Sequence, residues 1–275
     1  VLANDVINDK LGSKIEKSNV TFSKFADFQL NANSLGTQTD SVIPRVAFTI
    51  YIKTKDGSEA FKAIRGAGGT IEQCLKRYRT EETSNVTLEK VIEDLCEEVA
   101  KEASELDRSG SAAILGTECP VILGPEVAGV FAHEVGGHPL EADIIVQNRR
   151  NRSASLNLKA RLGSQFSDHP KFNLIDTPHA TLKVKDKEIH RFNWGHIVVD
   201  GYGTESKIAH LVENGIIVEA MTDRHTHEEV VDGLKDDIVE RMNKRGTSGN
   251  VRLANYSKPP LIRMRNTFIL PDTDG

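Results

Sequence analysis

Two histidines five residues apart, with two glycines between them, constrain this chain more than any other feature: His133-Glu134-Val135-Gly136-Gly137-His138. On a straight α-helix each residue turns by about 100°, so the two imidazoles would stand about 140° apart and could not act on one ligand. Yet two imidazoles and a carboxylate in so short a run are the parts of a metal site. Neutral imidazole nitrogens bind zinc, and a carboxylate beside the ion can take the proton from a water that the metal acidifies. For the histidines to converge, the helix must end, unwind or bulge inside the motif. Gly136 and Gly137 suit that because glycine admits positive φ, and Pro139 disfavours α-geometry at His138. The reading is a helix that breaks within its own motif, with His133 and His138 as metal ligands and Glu134 as general base. Metal-assisted peptide hydrolysis is the chemistry it points to. Ordinary histidines at a helix end are the structural alternative.

The residues before the motif predict how it is approached. Cys119-Pro120-Val121-Ile122-Leu123 reads as a short buried strand, followed by Gly124 and then Pro125 and Glu126 at positions that a first helical turn favours. Val127, Val130, Phe131 and Val135 recur at helical spacing and predict an apolar face toward the core.

The rest of the chain sets bounds. Its 275 residues suffice for one large or two modest domains. A formal charge of −5, with no basic stripe, argues against nucleic acid as the main partner. No apolar stretch reaches the length of a membrane span, and the N-terminus lacks the order of a signal peptide, so the cytoplasm is the expected compartment. The three cysteines, Cys74, Cys96 and Cys119, fit neither a disulfide framework nor a C-x-x-C knuckle. Cys96 falls among Leu95, Val99 and Ala103 on a predicted helix and reads as a small buried hydrophobe; Cys119 reads as core at a strand start.

Strand character runs through residues 20–30. Val46 to Ile52 alternates with period two, and Asp56-Gly57 turns it into Ala60–Ile64, a hairpin. Residues 87–106 carry Leu88, Val91, Ile92, Leu95 and Val99 on one stripe and predict an amphipathic helix. The polar run Asp107–Ser111 suggests a boundary between residues 1–110 and 111–275. Residues 148–165 look like a solvated loop or a lid beside the site. Strands are expected at Phe172–Asp176, Ile197–Val199 and Ala209–Val212, the last turned by Asn214-Gly215 into Ile216–Val218. A helix weakened by Gly233 is expected over Glu228–Met242, and a strand over Leu261–Leu270. Strands and helices in mixed order, with hairpins and a motif-bearing helix between two sheet-rich regions, give an α+β fold.

At this point the motifs match a known family. His133-Glu134 through His138, continuing Pro139-Leu140-Glu141-Ala142-Asp143, resembles the H-E-x-x-x-H-x-x-E-x-D signature of the TldD/PmbA family, the modulator of DNA gyrase proteins, in its metal-keeping TldD-like branch. Arg65-Gly66-Ala67-Gly68-Gly69 after the Asp56-Gly57 turn resembles that family's glycine-rich hairpin. Asp200-Gly201-Tyr202-Gly203-Thr204, then Gly249-Asn250, Arg252 and Tyr256, and finally Arg263-Met264-Arg265-Asn266-Thr267 (R-M-x-N-T) follow in the family's order. The likeness covers most of residues 20–275. It implies a metallopeptidase that binds unfolded or flexible peptides as an added strand, in a homodimer or with a metal-less PmbA-like subunit, in roles such as peptide-antibiotic maturation. The gyrase name implies no contact with DNA. The family's third metal ligand is a cysteine downstream of the part matched here, so the chain resembles a central portion whose site lacks one ligand and which is expected to be a poor or inactive peptidase by itself. Zinc is the expected ion, with iron also suited to imidazole.

Further roles remain open between function and structure. Glu141 and Asp143 either fix an imidazole tautomer or cap a helix start. Gly66, Gly68 and Gly69 either admit a peptide backbone or form a turn needing positive φ. Arg263 and Asn266 either contact substrate backbone or make structural hydrogen bonds. His225 and His227 are expected to face solvent. The rival to an enzyme is a non-catalytic scaffold that binds peptides or a partner subunit.

Overall fold

A computed structural model describes residues 2–76, 87–109, 118, 120–150, 161–184, 187–190, 192–253 and 257–272. Two compact units interleave along the chain. The first gathers residues 1–27, 43–120 and 183–194, the second residues 28–42, 121–182 and 195–275.

The first unit packs helices on one face of a sheet. Helices α1 (Leu2–Leu11), α2 (Ile71–Lys76) and α3 (Leu88–Ser109) accompany strands β1 (Ile15–Ala32), β2 (Gln38–Thr54) and β3 (Glu59–Ala67), in sheet order β1-β2-β3, with the stretches of β1 and β2 inside residues 28–42 counted in the second unit. Alternation explains β2: Val46, Phe48, Ile50 and Ile52 are buried, while Ala47, Thr49 and Tyr51 are half-buried. The expected hairpin forms, with Ile52 opposite Ala60 and Gly57 at φ +89° in the turn. The stripe predicted for α3 buries Val91, Leu95 and Val99, and Cys96 lies with them as the expected small hydrophobe. Burial pushes its thiol up to about 11. Ile7 and Leu11 of α1 complete this core.

The second unit carries the histidine motif. It contains α4 (Pro125–Phe131), a π-turn (Ala132–Gly137), a 3-10 turn (His138–Leu140), α5 (Ala142–Arg150), α6 (His227–Val231) and α7 (Asp236–Arg245). Strands β4 (Leu174–Asp176), β7 (Ala209–Glu213), β8 (Ile216–Ile217) and β11 (Thr267–Ile269) form a sheet in the order β11-β4-β7-β8, with every neighbouring pair antiparallel. Strands β9 (Val251–Arg252) and β10 (Leu261–Ile262) pair separately. Strands β5 (Leu182–Val184) and β6 (Lys187–His190), which apart from Leu182 belong to the first unit, pair with each other. Leu140, Ala142 and Ile145 meet Leu174, Leu211, Val212 and Met221 in the core of this unit. The fold is α+β with antiparallel pairing, as expected.

Several expectations are corrected. Val121, Ile122 and Leu123 are exposed and outside any strand, so this run is not core; Cys119 lies outside the described residues. No residue of α4 is buried, and Val127, Val130, Phe131 and Val135 are exposed. The side that packs carries the small residues Ala132, Gly136 and Gly137, because the backbone lies close to the residues beneath it and only small groups fit there. Over Ile197–Val199 only Val199 pairs, in an isolated bridge with Glu205. The helix expected over 228–242 is two, α6 and α7, separated at Gly233, whose φ of +72° no helix sustains. The strand expected over 261–270 is likewise two, β10 and β11. The Asn214-Gly215 turn forms with φ +52° and +81°, joining β7 to β8. Of the loop expected beside the site, residues 151–160 lie outside the described residues.

Candidate metal centre

The motif resolves its geometric conflict by a π-turn. The His138 N–H donates to the His133 carbonyl, a bond from residue i+5 to residue i, which places residues five apart one above the other. The two imidazoles therefore meet edge to face with ring centroids 4.6 Å apart. Potential ligand atoms of His133, Glu134 and His138 all lie within 4.8 Å of one another, and among the described residues these three form the group.

The expected break is present, but its cause differs. Gly136 and Gly137 do not take positive φ; both stay within the π-turn. They are glycines because of what lies beside them. A Cβ on Gly136 would overlap the Leu174 side chain from β4, and one on Gly137 would overlap Met264 Sδ. Pro139 does not expel His138 from helical geometry either. His138 sits at φ −51°, ψ −42°, opening the 3-10 turn, and the chain becomes extended only at Glu141, with ψ 120°.

The electrostatics suit ligation. Desolvation, helped by His138, lowers the pKa of His133, against the pull of Glu134 and Asp176, a shift toward the neutral ring that a metal needs. His138 Nδ1 lies 3.2 Å from Glu141 Oε1, an arrangement in which an N–H at Nδ1 donates to the carboxylate and leaves Nε2 with its lone pair. Glu134 is exposed. Two imidazoles and a carboxylate match the N/O preference of zinc, so the residues present fit a divalent ion.

The other candidates separate. Glu141 contacts His138, whereas Asp143 accepts from the Ile144 and Ile262 main-chain N–H groups, at 2.9 and 3.3 Å. Arg263 donates to Glu141 Oε2 at 2.8 Å and to the Ile262 carbonyl at 2.7 Å. Asn266 accepts from the Gly195 N–H and donates to the Thr177 carbonyl, each at 2.7 Å. Gly68 has φ +78° and its N–H donates to the Pro44 carbonyl, while a Cβ on Gly69 would overlap the Phe192 ring; both belong to the first unit. His225 is exposed and set edge-on to Tyr202, but His227 is held between Thr222 Oγ1 and Asn243 Oδ1.

Sequence reasoning missed the network beneath the site. Asp176, fully buried on β4, accepts from the Arg265 main-chain N–H and Nε and from Asn250 Nδ2. An acid closing an otherwise apolar strand was the available signal, since buried carboxylates need partners.

The chain belongs to the PmbA/TldD family: residues 116–275 match the PmbA/TldA metallopeptidase C-terminal domain. It is 32% identical over 154 residues to a zinc metalloprotease TldD homolog of Saccharolobus solfataricus, covering 56% of this chain and 28% of that protein. It is 26% identical over 280 residues to a metalloprotease TldD homolog of Buchnera aphidicola subsp. Schizaphis graminum, covering 97% of this chain and 48% of that one. The chain thus spans about half or less of the length of these curated relatives. A protein described as a modulator of a DNA gyrase from Thermotoga maritima shares the fold, with a TM-score of 0.56 at 16% identity over 98% of this chain and 51% of its own. TldE from Thermococcus kodakarensis shares it too, with a TM-score of 0.52 at 12% identity over 98% and 50%. No helix among the described residues is long and apolar enough to cross a membrane.

Proposed function

We propose that this chain carries the metal site of a peptidase that hydrolyses peptide bonds in unfolded or flexible peptides, with a divalent metal, zinc in the first instance, held by His133 and His138. The observation that carries the reading is the π-turn, which brings both imidazoles and the Glu134 carboxylate within 4.8 Å. Bound there, the metal would supply a Lewis acid that makes a water acidic and polarises the scissile carbonyl. At His133 desolvation disfavours the cation, which favours the ring form that can ligate. His138 presents Nε2 because Nδ1 is engaged by Glu141. Glu134, one residue beyond His133 and open to solvent, accepts the proton of the attacking water and returns it to the leaving amine.

The test supplies Zn²⁺ to the purified chain and measures metal per chain together with chelator-sensitive cleavage of an unfolded peptide. Glu134→Gln should keep the metal and lose about 10²–10⁴-fold in rate. His133→Ala/His138→Ala should lose both. Unchanged metal stoichiometry in the double variant would remove the motif from the reading, and metal bound without turnover would make the chain a peptide-binding scaffold. Family membership supports extending the proposal to a second subunit, another copy or a PmbA-like chain; light scattering that shows only monomers, alone and in mixture, would reject that extension.

A further inference from the structure

Glu141 is fully buried between Leu140 and Ala142, themselves buried. A carboxylate is costly there unless both oxygens are satisfied. Each has one strong partner: Oε1 faces His138 Nδ1 at 3.2 Å, and Oε2 accepts from Arg263 Nη1 at 2.8 Å. Both ends of this chain of contacts are fixed by main-chain bonds. The Met221 N–H donates to the Leu140 carbonyl at 2.8 Å and the Ala142 N–H to the Met221 carbonyl at 3.0 Å, clamping the backbone on either side of Glu141. The Arg263 N–H donates to the Asn250 carbonyl and Asn250 Nδ2 to the Arg263 carbonyl, each at 3.0 Å. The Arg263 head is held again by the Ile262 carbonyl. Both bonds come from Nη1, so that nitrogen is committed to the buried carboxylate and the main chain.

We propose that Arg263 and Glu141 are positioning residues for His138. Arg263 orients the carboxylate, and the carboxylate holds the Nδ1–H tautomer and the ring plane, so that Nε2 is the ligating atom. Carboxylate partners of this kind fix tautomer and raise ligand basicity, and their loss usually weakens metal binding by about 10–100-fold. The proposal rests on reading His138 as a metal ligand.

Two measurements on the full chain test it. In metal-free protein at pH 8, nitrogen NMR of the histidine rings, with His138→Asn for assignment, should show His138 as the Nδ1–H tautomer; an Nε2–H tautomer overturns the proposal. This spectrum needs no change at Glu141 or Arg263, so the result stands even if those variants fail to fold. Competition of Zn²⁺ against a chelating dye should then show about 10–100-fold weaker binding for Arg263→Met and Glu141→Leu. Arg263→Lys should recover part of the loss, because the contact with Glu141 runs through a single nitrogen. Folded variants that bind Zn²⁺ within about threefold of wild type, where a 10–100-fold loss is expected, overturn the proposal. If His133→Ala/His138→Ala binds Zn²⁺ as wild type does, the metal reading itself fails, and that result is separate from the tautomer.

Discussion

Asp176→Asn isolates the charge at the centre of the second unit without opening a cavity, since the two side chains have nearly the same volume. In the native structure Oδ1 accepts from the Arg265 N–H at 2.8 Å and Thr267 Oγ1 at 3.3 Å. Oδ2 accepts from Arg265 Nε at 3.0 Å and Asn250 Nδ2 at 2.8 Å. An asparagine can keep the first pair through its carbonyl. It must then point an NH₂ at two further donors, so both bonds at that position are lost and the Arg265 guanidinium, whose side chain is only 5% exposed, loses its counter-charge. Breaking a buried ion pair by neutralising one partner costs about 3–5 kcal/mol. The remaining bonds of Arg265, to the Lys207, Ser248 and Gly249 carbonyls and Asn250 Oδ1, hold it in place and place the expected cost at the lower end, about 3 kcal/mol. Stabilities of whole domains are about 5–15 kcal/mol, so the loss should be plain in urea unfolding followed by far-ultraviolet circular dichroism. A change below about 1 kcal/mol with an unaltered m-value would refute the argument that this ion pair is buried and closed to water.

Gly137→Val should weaken Zn²⁺ binding and cost about 1–3 kcal/mol, because the added side chain must displace Met264 from under the π-turn; unchanged dye competition and urea unfolding would contradict that packing. Gly215→Val should destabilise the β7–β8 hairpin, since φ there is +81° and a Cβ would press on the Ser167 carbonyl, and a thermal midpoint equal to wild type would count against it. Burial lowers the pKa of both His179 and His210 in the folded chain, assisted by Arg265 at His179 and Arg245 at His210. The unfolded chain therefore binds more protons near its histidine pKa of about 6.5, and stability should fall as pH drops from 7.5 toward 5.5. His179→Gln/His210→Gln should flatten that slope in urea titrations, and an unchanged slope would exclude these rings as its source. Cys96, with its thiol pushed up to about 11, should resist a thiol-reactive dye at pH 8 until the chain unfolds, which mass spectrometry of the labelled peptide would check.

Much of the fold was legible where the determinant is local. Asp56-Gly57 and Asn214-Gly215 announced their turns because few residues tolerate positive φ, and both turns formed. The stripe on α3 and the alternation in β2 followed from the two periodicities of the backbone. The candidate site was legible for the same reason: two imidazoles and a carboxylate at i, i+1 and i+5 demand a departure from α-geometry if they converge.

What residues 1–275 determined by themselves was therefore which donor groups the motif gathers and the need for a break within it if they converge. Only the tertiary structure decided how the break is made and what supports it. Gly136 and Gly137 are required by Leu174 and Met264, side chains 38 and 127 residues away in sequence, not by their own dihedral angles. The apolar residues of α4 have the spacing of a buried face and are exposed, because hydrophobic periodicity records which residues share a side and not what lies opposite. Arg263 is separated from Glu141 by 122 residues, and Arg265 from Asp176 by 89. Pairings at such distances are selected by packing and the cost of an unsatisfied buried charge, which no local pattern encodes.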